Sequence, residues 1–298
     1  MDTVIEMKQL KKKFGKTEAL KDVTFQVNKG EVVGFIGPNG AGKSTTIRIL
    51  LGLIQSDDGK ATIFDQDVWD DAVSIHERVA YVPGDVNLWP QLTGGEVIDL
   101  FLSMRGKIVN KERKAELIKR FEFDPTKKCQ AYSKGNRQKV ALIAAFAADA
   151  DVYIFDEPTS GLDPLQERVF QEYVQEVKAK GASVLLSSHI LSEVEQICDK
   201  VAIIRQGEIV EEGNLANLRH LTRTLLTVET KEAVPTLKDQ PWAHHVKEEE
   251  GAYIFQLDSH HMGDFLQFIR PYTVVKLESA PPKLEDLFMR HYEREGDS

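Results

Sequence analysis

Cysteine is scarce in this sequence. Cys129 and Cys198 are the 2 present, and they show no metal-ligand spacing. A disulfide framework is not expected, and a reducing compartment is favoured. Long hydrophobic runs are missing too. The longest apolar stretch, Val140 to Ala148, falls well short of the ~20 residues that a bilayer span needs. The N-terminus shows no apolar run ahead of a cleavage site, so no signal peptide is expected. Any membrane span must then come from a partner. A positive balance is absent as well: the formal net charge is -9 and the pI ≈ 5.5. That argues against a surface built to grip nucleic acid. The local exception is Lys8, Lys11, Lys12, Lys13 and Lys16, read as lysines guarding a solvated edge strand.

What is present centres on Val33 to Thr45. Gly37-Pro38-Asn39-Gly40-Ala41-Gly42-Lys43-Ser44 fits the pattern G-x-x-x-x-G-K-[ST]. The run before it, Glu31 to Ile36, reads as a buried strand; the run after it, Thr45 to Leu51, has helical apolar spacing. Glycines let a backbone wrap a phosphate, and the loop N–H groups and helix start then face the anion. Lys43 would reach the terminal phosphates, and Ser44 would offer its hydroxyl to Mg²⁺.

Residues 3 to 36 read as strands with short turns, and Ser56 to Gly59 as a turn before a strand at Ala61 to Phe64. Thr93 to about Phe123 carries helical spacing through Val97, Leu100, Phe101 and Met104, an insertion in an α/β pattern. Ser133-Lys134-Gly135-Asn136 precedes a strongly helical run, Arg137 to Ala148. Asp151 to Pro158 is an apolar strand ending in two carboxylates. Asp156 would hold Mg²⁺ through water and Glu157 would face the attacking water as general base. Pro164 to Lys180 reads as a helix, and Ser183 to Ser188 as another buried strand that delivers His189. Ligands of parallel sheets sit outside the carboxyl ends of strands, so His189 is placed to touch the γ-phosphate.

Together these residues resemble the ATP-binding cassette (ABC) ATPases over residues ~1 to 215. Gly37 to Thr45 matches the Walker A loop, and Tyr132 to Gln138 resembles the signature loop. Ile154 to Pro158 matches Walker B with its catalytic glutamate, Ser160-Gly161-Leu162-Asp163 the D-loop, and His189 the switch histidine. Phe14 stands where the family places an adenine-stacking aromatic. The resemblance implies ATP and Mg²⁺ as cofactors and a nucleotide-dependent homodimer. ATP on one copy's Lys43 would be closed over by Ser133, Lys134, Gly135 and Asn136 of the other. It also implies a transmembrane permease as partner, no nucleic acid, and a cytoplasmic place on the inner face of the cell membrane.

The sequence departs from the pattern at Tyr132, Lys134 and Asn136 of the signature loop, where the family has Leu, Gly and Gln. Gly84 stands where the family usually carries a metal-ligating glutamine. Either Asp85 substitutes, or the metal relies on Ser44 and Asp156. Trp89 reads equally as a contact for the permease or as a buried member of the helical lobe.

The expected architecture is α/β: a P-loop ATPase core with a β-rich N-terminal subdomain and a helical insertion, plus a small α+β C-terminal domain. The boundaries read as 1–215 for the nucleotide-binding domain, about 86–150 for its helical subdomain, and 216–298 for the accessory domain. In the last, 224–230, 252–257 and 272–278 read as strands, Phe265 to Ile269 as a helix, and Leu284, Leu287, Phe288 and Tyr292 as an amphipathic terminal helix. The tail Lys283 to Phe288 is similar to those of drug- and antibiotic-type ABC exporters. His244-His245 and His260-His261 read as solvated surface, because neighbours on a strand point opposite ways. The expected function is an ATPase that energises an exporter of a drug, antibiotic or lipid-like compound. The alternatives are a soluble ABC ATPase working on nucleic acid or ribosomes, and a weakly hydrolysing nucleotide sensor.

Overall fold

The computed structural model describes residues 2–105, 110–215, 223–249 and 251–280. It divides into two compact units, Met1–Gly213 and Asn214–Ser298. The first opens with β1 (Thr3–Phe14), β2 (Thr17–Asn28), β3 (Val32–Ile36), α1 (Lys43–Leu50), β4 (Asp58–Ile63), β5 (Gln66–Asp67), α2 (Ala72–His76) and β6 (Val79–Val82). A helical section follows: α3 (Gly94–Met104), α4 (Lys111–Arg120) and α5 (Lys134–Ala147). Then come β7 (Val152–Asp156), α6 (Pro164–Ala179), β8 (Ser183–Ser188), α7 (Leu191–Ile197), β9 (Lys200–Arg205) and β10 (Glu208–Asn214).

The strands join in one 10-stranded sheet, ordered β5-β4-β1-β2-β10-β9-β3-β8-β7-β6. Its parallel part explains the continuous apolar runs, since a strand covered on both faces has no polar side. In β7 all five residues are buried. Tyr153 and Phe155 pack on Phe146 of α5, with ring centroids 5.9 and 5.6 Å away. Val152 and Ile154 face the opposite core with Ile47 and Leu50 of α1. Period-two alternation thus splits one strand between two cores.

The N-terminal lysines do not guard an edge. β1 lies between β2 and β4, antiparallel to both. Its lysines meet acids across the strands: Lys11 pairs Asp58 at 2.9 Å, Lys12 pairs Asp57 at 2.7 Å and Lys13 pairs Glu18 at 2.6 Å. Asp58 and Gly59 accordingly belong to a strand rather than to a turn, and the chain turns instead at Phe64, where φ is 57°. The helix after Ser133 starts at Lys134, three residues earlier than its apolar spacing indicates.

The second unit is a 4-stranded antiparallel sheet, β12-β13-β11-β14. Its members are β11 (Arg223–Thr230), β12 (Ala243–Glu249), β13 (Ala252–Asp258) and β14 (Val274–Ala280), with α8 (Met262–Ile269) on one face. Leu226, Trp242, Phe255 and Phe265 form its core. The third strand expected here begins two residues late, after the turn at Pro271-Tyr272-Thr273. The expected terminal helix lies outside the described residues. His260 and His261 sit in a short 3-10 turn, not a strand, and their rings come within 4.2 Å. Strand alternation therefore does not describe that pair. His244 is tied to Asp258 at 2.9 Å and His261 to Asp264 at 2.6 Å. Among the described residues no group of three or more such side chains is set to hold a metal.

Candidate active site

Register brings the site together. Ile36 of β3 is level with Ser188 of β8, and Asp156 of β7 with Ser187. The carboxyl ends of three parallel strands therefore release the phosphate loop, the acidic pair and His189 at one sheet edge.

The loop from Gly37 to Gly42 joins β3 to α1. Gly42 has φ 116°, a backbone that side chains rarely adopt, and a Cβ there would meet Leu20 at 2.7 Å. Asn39 and Gly40 are exposed at the tip, while Ala41 and Lys43 are buried. No side chain caps α1, so its first N–H groups point into the loop without a local acceptor. Lys43 is 5 % exposed and its Nζ donates to the Gly37 carbonyl at 2.7 Å and to that of Pro38 at 3.3 Å. Thr46 Oγ1 donates to the Gly42 carbonyl at 3.0 Å and fixes the first turn.

Asp156 ends β7, buried, with its Oδ1 accepting from Ser187 Oγ at 2.6 Å. Glu157 follows with φ 49°, a conformation that costs a side-chain-bearing residue about 1–2 kcal/mol. It is held there because its N–H donates to the Ser187 carbonyl and Oγ, both at 3.1 Å. Its Oε1 lies 3.6 Å from Lys43 Nζ and 3.3 Å from His189 Nδ1. Sequence reasoning thus brings Lys43, Asp156, Glu157 and His189 to one place, and the structure does the same. Gly84, just after β6, lies against β7: a Cβ there would sit 3.1 Å from the Asp156 carbonyl. Asp85 beside it is exposed.

The signature segment forms a second centre with the D-loop. Ser133 caps α5, its Oγ accepting the Asn136 N–H at 3.3 Å. Gly135 packs so closely on Gly161 that a Cβ would fall 2.2 Å from the Gly161 carbonyl. Lys134 Nζ donates to Ser160 Oγ at 2.6 Å. Leu162 packs on the helical core, and Asp163 caps α6 by accepting the Gln166 N–H at 3.0 Å. Phe14, at the end of β1, is 51 % exposed, with Lys12 Nζ 5.6 Å from its ring centroid. Trp89 is 50 % exposed and leans on Phe101 at 6.0 Å, so it is not buried in the lobe.

Four polar residues escape sequence reasoning: Ser187, which binds Asp156, and Glu193, with Thr159 and Ser188 hydrogen-bonded to it. Their signal is faint. Two serines close a strand whose middle is apolar, and an acid stands four residues after His189. A cavity of about 730 Å³ lies elsewhere, at the amino ends of β7 and β8, and none of its lining residues belongs to the phosphate loop.

A family profile described as ABC transporter matches residues 20–160. The chain is 30% identical over 299 residues to the Nod factor export ATP-binding protein I of Bradyrhizobium diazoefficiens, covering 98% of this chain and 97% of that protein. It is 32% identical over 219 residues to the linearmycin resistance ATP-binding protein LnrL of Bacillus subtilis, covering 72% of this chain and 70% of LnrL. Among solved structures it resembles the ATP-binding cassette MJ0796, in a dimeric post-hydrolysis state bound to ADP and Pi. The TM-score is 0.65 at 26% identity, over 71% of this chain and 98% of that one.

Proposed function

Because this chain belongs to the ABC transporter family, as an ATPase subunit that energises a permease, we propose that it powers export of a drug, antibiotic or lipid-like compound. The observation that carries the hydrolytic part is that Glu157 lies 3.6 Å from Lys43 and 3.3 Å from His189, at the ends of three parallel strands. The export part is supported by what the names of two relatives state: Nod factor export and linearmycin resistance. No helix among the described residues is long and apolar enough to cross a membrane. The permease supplies the spans, and the chain works on the cytoplasmic face beside it, with Trp89 at the contact.

ATP lies along the phosphate loop, its adenine on Phe14 and its phosphates on the N–H groups of Gly37 to Thr45. Lys43 turns its ammonium from the loop carbonyls to the β- and γ-phosphates. Glu157 takes a proton from the attacking water while the bond from the γ-phosphorus to the ADP oxygen breaks, and His189 steadies the γ-phosphate. Hard oxygen donors suit magnesium, and the Ser44 hydroxyl with the Asp156 carboxylate is such a set. When bound there, Mg²⁺ neutralises the charge that builds on the phosphates. A second copy closes the site in a head-to-tail homodimer, bringing Ser133, Lys134, Gly135 and Asn136 to the triphosphate and Ser160 to Asp163 to the dimer seam.

The test is Glu157→Gln. Turnover should fall about 10²–10⁴-fold, the range of a lost general base, and an ATP-dependent dimer should accumulate on size exclusion. A variant that stays monomeric with ATP and Mg²⁺, from a wild type that shows no turnover beside its permease, would overturn this reading.

A further inference from the structure

Glu193 has no role in the site as described so far, yet it is one of the few buried charged residues, 8 % exposed on the short helix α7. Thr159 Oγ1 lies 2.9 Å from both of its carboxylate oxygens, and Ser188 Oγ 3.1 Å from Oε2. Ser188 Oγ accepts the Ile190 N–H at 2.9 Å, and its own proton has two acceptors in reach, of which the Glu193 carboxylate at 3.1 Å is nearer than the Ile190 carbonyl at 3.3 Å. Both hydroxyls therefore donate to one acid. Helix α7 is seated tightly, because a Cβ on Gly34 of β3 would come within 2.3 Å of Val194.

The two hydroxyls hold particular pieces of chain. Thr159 is two residues after Glu157, and Ser188 directly precedes His189. Ser187, next along, binds the Asp156 carboxylate and the Glu157 N–H. On the far side of Thr159, Ser160 takes the Lys134 ammonium. Burying a carboxylate is costly, and an apolar residue would fill the same volume without that cost. A carboxylate is suited to one task here, accepting from two separate segments at once.

We propose that Glu193 is a positioning residue for hydrolysis: it ties the turn after Glu157 to the strand end before His189 and so sets the spacing of that pair. This rests on the ATPase reading above. Small misplacements near reacting groups can cost up to about 10²-fold in rate. In the full-length chain with its permease, Glu193→Ala should lower kcat about 10- to 100-fold and leave the KM for ATP within about twofold. Glu193→Gln keeps the shape and one acceptor oxygen, and should recover part of the loss. Thr159→Val should lower kcat in the same way, and the Thr159→Val, Glu193→Ala double variant should be no worse than Glu193→Ala alone, because the two act through one contact.

Should Glu193→Ala fail to fold, Thr159→Val and Glu193→Gln carry the same test. The proposal is overturned by a folded Glu193→Ala or Thr159→Val with wild-type kcat, by losses that multiply, or by a change confined to KM. A wild type without turnover would instead sink the ATPase reading itself, so the two failures are told apart.

Discussion

Helices α1 and α5 begin in opposite ways. α1 starts behind Gly42 with no side-chain cap, and α5 starts behind Ser133, whose hydroxyl caps it. Both have orphan N–H groups at the first turn. One leaves them to an incoming anion, and the other satisfies part of them from its own chain. On the proposed reading the first start receives a phosphate that belongs to this copy. The second is partly satisfied by its own chain, and on the same reading its hydroxyl would turn from Asn136 to reach a neighbour's phosphate. The loop around α1 is shaped by backbone freedom at Gly42, whereas the start of α5 is shaped by close approach of Gly135 to Gly161.

The largest expected effect strikes the first start. Lys43→Ala removes the ammonium that faces both the loop carbonyls and Glu157. Charged hydrogen bonds are worth about 1.5–3 kcal/mol each, so ATP affinity should fall about 10²-fold, read by titration with a fluorescent nucleotide. An unchanged affinity would erase the contrast between the starts. Next comes Gly135→Ala. Its methyl would meet the Gly161 carbonyl at 2.2 Å, and such overpacking costs about 1–3 kcal/mol. Thermal unfolding should show it, with nucleotide affinity of the isolated chain intact.

Ser133→Ala is milder. Loss of a cap costs about 1 kcal/mol, seen as a lowered Tm. ATP-driven dimerisation should weaken beyond that loss if the hydroxyl also serves the neighbour's phosphate. A dimer as tight as wild type would confine Ser133 to capping.

The smallest effect concerns the buried acid Glu193, which lies at neither start. Burial, with Glu167 nearby, holds the Glu193 carboxyl above its ordinary value of 4.5; bonds from Thr159 and Ser188 and the presence of His189 oppose that. The folded chain then keeps a proton that the unfolded chain has lost. Stability from this group is full below pH 4.5 and is lost as pH rises through the folded value. Glu193→Gln has no such titration, so wild type should lose stability relative to it as pH rises above 4.5, by no more than about 1.4 kcal/mol per pH unit. Stability profiles of the two proteins that run parallel in urea titrations across pH would count against a buried, titrating carboxyl.

The parts of the site that sequence makes legible are contiguous. Gly37 to Ser44 and Ile154 to Glu157 are single stretches whose spacing carries their chemistry, and their apolar flanks mark buried parallel strands. The shared sheet edge follows from that, because β3, β7 and β8 all run the same way. What stays hidden depends on partners far along the chain. β1 reads as an edge because nothing in its own residues announces that Asp57 and Asp58 will lie opposite its lysines. α7 is seven residues long, too short for periodicity to declare itself. Glu193 looks like any surface acid until Thr159 and Ser188 close over it. The Lys134–Ser160 contact joins segments separated by a whole helix and strand. In the second unit, β11 and β13 are visible by alternation, and the 3-10 turn that carries His260 and His261 is not.

β3 lies between β8 and β9, bonded to both. Its amides lack a route to solvent short of opening the middle of the sheet. In deuterium-exchange experiments they should be among the slowest to label, exchanging only when the whole unit unfolds. The anchor of the phosphate cradle then stays fixed through each turnover, and whatever movement drives the permease must come from segments mounted around it.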